Sequence, residues 1–122
     1  MNMDPWKKIA DWSDEKILRV YNDPAATGKF LMYDELAIRA NRNKAIESLL
    51  LSVVNSEEAQ KEIVMGFIKH SWLPSISILK YGHSGLLNSL LRLLKAWPEA
   101  ERFAFKNYLA TDEFLSEKIQ SI

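Results

Sequence analysis

Apolar residues recur along most of the chain at spacings of three and four, the period of a helix that buries one face. Ile46, Leu49, Leu50, Val53 and Val54 form one such stripe, and Leu86, Leu87, Leu90, Leu91 and Leu94 another. Ile63, Val64, Phe67 and Ile68 repeat the pattern, as do Ala100, Phe103, Ala104 and Tyr108. Strand-like alternation is confined to Ser75-Ile76-Ser77-Ile78, too short to predict a strand. The pattern predicts an all-α chain with helices near 5–12, 14–21, 30–41, 44–55, 57–70, 74–81, 85–97, 99–109 and 112–120.

The residues between the stripes agree with these ends. Asp4 before Pro5 reads as an N-cap followed by proline in the first turn, where a missing N–H costs nothing. Ser13 before Asp14-Glu15, Ser56 before Glu57-Glu58, and Asp112 before Glu113 each set a capping side chain and acids at a positive helix end. Ser84 is read as the residue preceding the leucine-rich helix, which stops at Trp97-Pro98. Asn22-Asp23-Pro24 ends the second helix and opens a loop over 22–29. Gly82 is read as a helix C-cap and Gly85 as a point of close helix approach.

Shifting the chain by about 41 residues lays Ser48-Leu49-Leu50 on Ser89-Leu90-Leu91, Glu58-Ala59 on Glu99-Ala100, and Phe67-Ile68 on Tyr108-Leu109. This spacing suits paired-helix repeats. The expected fold is therefore a stack of helical hairpins, a HEAT-like α-solenoid fragment, or else an irregular helical bundle, with about seven to nine helices. Leu51, Met65, Leu93 and Phe105 fall off the main stripes, so they are covered by a second layer or left outside as a contact surface.

Composition narrows the function more than the fold. The 122 residues suit a single domain with one core. Sixteen basic residues balance sixteen acidic ones, evenly in both halves, which disfavours a broad nucleic-acid or anionic-lipid footprint. With no cysteine there is no disulfide framework, thiolate nucleophile or zinc ribbon. The first residues lack the apolar core of a signal peptide, and the longest aliphatic run, around Leu49-Leu50-Leu51, is far short of a membrane span. A cytoplasmic protein of bacterial style, without a membrane partner, is expected.

Catalytic patterns fail on inspection. His70 and His83 have no second ligand at metal spacing. Gly28-Lys29 lacks the opening glycine and the following Ser/Thr of a phosphate loop. Gly82-His83-Ser84-Gly85 is followed by Leu86 where a nucleophile elbow needs glycine. The acidic pairs Asp14/Glu15, Asp34/Glu35, Glu57/Glu58 and Asp112/Glu113 sit mostly at helix starts, where the macrodipole accounts for them. No enzyme activity, cofactor or metal is expected.

The expected function is that of a non-catalytic protein-binding module. Its most concrete form is a small immunity or inhibitor protein that occludes a partner toxin, such as a nuclease. The alternatives are an adaptor subunit of a larger complex and a helix-turn-helix regulator built on residues 33–44; against the latter, the helix that follows is apolar rather than a polar recognition helix. The expected partner-binding edge joins Trp72, Tyr81 and His83 to Asp112, Glu113 and Glu117, an aromatic anchor among carboxylates facing a basic cleft. The competing reading for Trp72 is a plug in the core, as for Trp6, Trp12 and Trp97 near other helix ends.

Overall fold

The computed structural model describes residues 9–122, so the N-cap, proline and Trp6 at the start of the first expected helix lie outside the described residues. Residues 9–11 form a single 3-10 turn. Eight α-helices follow: α1 (Asp14–Asn22), α2 (Tyr33–Ala40), α3 (Lys44–Val54), α4 (Glu57–Lys61), α5 (Trp72–Tyr81), α6 (Ser84–Lys95), α7 (Glu99–Leu109) and α8 (Glu113–Lys118). A 3-10 turn (Lys29–Met32) leads into α2, and a hairpin of β1 (Ile63–Met65) and β2 (Ile68–Lys69) separates α4 from α5. The fold is all-α with one small hairpin.

Caps set the helix ends. The Ser13, Asn43, Ser56 and Asp112 side chains accept backbone N–H groups in the first turns of α1, α3, α4 and α8. The leucine-rich helix α6 differs from expectation: its N-cap is His83, which makes no side-chain capping bond, and Ser84 is already helical. Gly82 ends α5 in an extended conformation, and a Cβ there would meet the Ile78 carbonyl at 2.7 Å. The close approach expected at Gly85 thus occurs at Gly82, while Gly85 faces open space.

Two hairpins make the core. α2 packs along α5 and α3 along α6, first helix on first and second on second, as in stacked repeats. α5 also touches α3, α6, α8 and β2. Being covered on several sides explains why it buries Trp72, Pro74, Ser75, Ser77, Ile78 and Leu79 rather than one stripe. Ile46, Leu50 and Val54 of α3 are fully buried, and so are Leu90 and Leu94 of α6, with Leu86 nearly so. These triplets are related by a shift of 40 residues, so the 41-residue register read from the sequence is one residue out: the structure pairs Leu50, not Leu49, with Leu90.

The third stripe is not a helix. α4 stops at Lys61, and residues 63–69 turn back on themselves with Ile63 opposite Lys69 and Met65 opposite Ile68. Ile63 and Val64 are β-branched and cost helix stability. Gly66 takes a φ of +54° at the first position of the two-residue turn, a conformation other residues adopt only with strain.

Arg39 ties the start of the chain to α2. It is 2% exposed; its guanidinium donates to Glu35 at 2.8 Å, Asp14 at 3.1 Å and the Ile9 carbonyl at 3.1 Å. The Asn43 side chain donates to the other Asp14 oxygen at 2.8 Å. That bond, helped by Arg39 and Arg42 and opposed by desolvation, holds the Asp14 carboxyl below its ordinary range.

Candidate functional site

The apolar stripe read on α7 faces away from the core. Phe105, which falls off the stripe, is fully buried with Leu109, while Phe103 is 67% exposed. Two residues along a helix turn the side chain by about 200°, so Phe105 and Phe103 point in opposite directions. α7 therefore carries more apolar surface than the core consumes. The surplus, Phe103, Ala104 and Tyr108, lines a groove with Phe67, Lys69, Trp72 and Asn107 that encloses about 610 Å³.

The hairpin forms the other wall. Phe67, at its tip, is 66% exposed and meets Tyr108 edge-on with ring centroids 5.7 Å apart. Tyr108 in turn lies 5.2 Å from the Trp72 indole, which packs on Phe105 at 5.6 Å and forms the floor. Lys69 and Glu101 pair at 3.7 Å beside the groove. Glu99 is one turn before Phe103 on the same face of α7. Ile63 and Met65 of β1 are also more than half exposed.

The six residues expected at one edge do not assemble there. Trp72 is only 2% exposed, so it is a core plug and not an exposed anchor. Tyr81 lies at the other end of α5, about 13 Å away at helical rise, and is 41% exposed. Its carbonyl accepts from the Asn41 amide at 3.0 Å, and the neighbouring His83 N–H donates to the Asn41 oxygen at 2.7 Å. His83 is exposed and borders a polar hollow with Asn41, Arg42 and Lys44. On α8, Asp112, Glu113 and Glu117 are exposed, and Asp112 is occupied as the N-cap. Lys118 donates to the Leu79 carbonyl, which brings the end of α8 to the end of α5. Glu117 thus falls on the Tyr81 side, with Asp112 and Glu113 a helix length away.

His70, read as having no second ligand at metal spacing, has two hydrogen-bond partners. Its Nδ1 lies 2.8 Å from Glu62 and its Nε2 lies 2.7 Å from the Tyr33 hydroxyl, which is 2.7 Å from the Tyr21 hydroxyl. The Phe30 ring closes over the imidazole edge-on at 5.1 Å. Burial, reinforced by Tyr21, pushes the Tyr33 hydroxyl far above the ordinary tyrosine range. No local spacing announced this row, because its members come from α1, α2, the end of α4 and the residue after β2. Among the described residues no three metal-ligating side chains converge, and no helix is long and apolar enough to cross a membrane.

No family model, curated protein or solved structure matches the chain.

Proposed function

We propose that the protein is a non-catalytic docking module whose contact face is the groove between the hairpin and α7. The observation that carries this reading is the outward stripe of Phe103, Ala104 and Tyr108 on a helix already anchored by Phe105 and Leu109. Its occupant is a partner protein that inserts an apolar or aromatic side chain between Phe67 and Phe103, against the Trp72 floor. Carboxylates at Glu99 and Glu101 favour basic groups around that anchor and speed encounter at low salt. In its most concrete form the module inhibits by occlusion, covering a basic active-site cleft such as that of a nuclease toxin. Asp112, Glu113 and Glu117 supply further acid on α8, but without Trp72 their edge has no buried anchor, so the groove is the stronger face.

The test uses the intact protein and matched variants as bait against lysate of the source cells. Phe67→Ala and Phe103→Ala each weaken capture of the partner more than tenfold, the scale of a hot-spot truncation, while both variants keep the parent's thermal transition. Parent-like capture by both variants, with loss in Tyr81→Ala or in the Asp112/Glu113 double-Ala variant, would move the contact face to the junction of α5 and α8. The captured partner is then assayed for nuclease activity with and without the protein.

A further inference from the structure

Glu62 and His70 are the residues immediately outside the docking hairpin, in register as its next cross-strand pair: the His70 N–H donates to the Glu62 carbonyl at 2.7 Å and their side chains meet at 2.8 Å. They close the base of the hairpin. His70 also fastens that base to the body of the fold through Tyr33, which is 2% exposed, and Tyr33 passes the connection to Tyr21. With Glu62 ionised, only one neutral arrangement satisfies every atom. Nδ1–H donates to Glu62, Nε2 accepts from Tyr33, and Tyr33 accepts from Tyr21. If the imidazole gains a proton, Nε2 becomes a donor, so Tyr33 must turn its hydrogen toward Tyr21, and the Tyr21 hydrogen is released outward. In both arrangements every contact along the row is a hydrogen bond, so the row has two directions and one geometry. The raised range of Tyr33 keeps a hydrogen on its oxygen in either direction.

We propose that Glu62, His70, Tyr33 and Tyr21 form a reversible proton row that carries the protonation state of the hairpin base across α2 to Tyr21. It does not depend on the docking reading: protonation of His70 changes the charge at the hairpin base, in the hollow that His70 and Glu62 share with Glu58 and Ser52. The charged and titratable groups around His70 are Glu62 and Glu58 from α4 and its end, Lys69 from β2, Tyr33 from α2, and Tyr21 from α1 with Lys29 over its ring. Lys69 is held by Glu101, while α3 and α5 face His70 with Ser52 and the Leu73 amide.

The experiment reads the free protein, so it stands apart from the docking proposal. Tyrosine Cζ and histidine ring resonances are followed by NMR from pH 8.5 to pH 5. The Tyr21 Cζ shift moves with the same midpoint as the His70 ring, although Tyr21 does not touch His70. In Tyr33→Phe, His70 still titrates and the Tyr21 response falls at least threefold. In His70→Gln the Tyr21 response disappears. A Tyr21 signal that stays flat while His70 titrates overturns the proposal, as does an undiminished response in Tyr33→Phe, or a His70 ring that does not titrate at all.

Discussion

Residues 55–71 and 96–112 occupy the same place after the second helix of each stacked hairpin, and they fold differently. The later segment is one helix, α7, while the earlier one breaks after a turn and a half into the β1–β2 hairpin. Both carry apolar residues at helical spacing, so period alone does not decide between them. Around Phe103 the sequence Glu-Ala-Glu-Arg-Phe-Ala-Phe-Lys-Asn holds strong helix formers, whereas Ile63-Val64 and Gly66 are poor ones. In neither segment is the repeated stripe buried: Phe67 and Phe103 both end up outside, facing the same groove. The stripes shared by the two connections mark a surface, and those shared by the stacked helices mark the core.

The largest expected effect lies in the core. Leu50→Ala and Leu90→Ala each cost about 2–5 kcal/mol in denaturant unfolding, because both are fully buried at equivalent positions. Leu49→Ala costs less than half as much, since Leu49 is only partly buried. Equal losses at Leu49 and Leu90 would restore the 41-residue register and break the comparison drawn above.

The next effect tests the anchor at the other end of the stack. Arg39→Met leaves Asp14 and Glu35 without their cation and costs up to about 3 kcal/mol, less than a fully buried pair because both acids are partly solvated. The acid limb of stability carries the same signature. The Asp14 carboxyl is lowered in the folded state, first by the Asn43 bond and then by Arg39 and Arg42, so its contribution is present above its ordinary value near 3.8 and is lost as pH falls below it. Asp14→Asn flattens that limb of a pH-dependent melting series. An unchanged limb would remove Asp14 from the account.

The smallest effects have opposite signs. Gly66→Ala costs about 1 kcal/mol, because φ is +54° although the space beside it is open. Gly85→Ala gains up to about 1 kcal/mol, because it lies in the first turn of α6 with nothing in contact. Two losses of similar size in thermal melts would mean that the hairpin turn and the start of α6 do not differ in backbone demand.

Most of the helices were legible in the residues, and most of the site was not. α1, α4 and α8 begin at or within one residue of where their capping residues and first-turn acids put them, because caps act locally. The hairpin escaped because its four apolar residues satisfy the helical template as well as the strand one, and only Gly66 and the β-branched pair Ile63-Val64 spoke against a helix. Trp72 stayed open between a surface edge and a core plug, and Phe105 between a second layer and a contact face. Which side of a helix meets the core depends on partners distant in sequence, here β2 and α5 against α7. The Glu62–His70–Tyr33–Tyr21 row joins four segments, so no spacing could have revealed it.

The carbonyl of Val54, the last residue of α3, receives two buried donors: the Gln60 amide at 3.2 Å and the Trp97 indole at 3.1 Å. One oxygen thereby couples the exit of the first stacked hairpin to the exit of the second. Residues 96–122 cannot peel away without stripping a buried acceptor, so the C-terminal third belongs to the same opening unit as α3 rather than fraying ahead of it. Native-state hydrogen exchange should then give amides of α7 and of the α3 end a common opening free energy. Indole emission from Trp97 should shift to the red only with global unfolding.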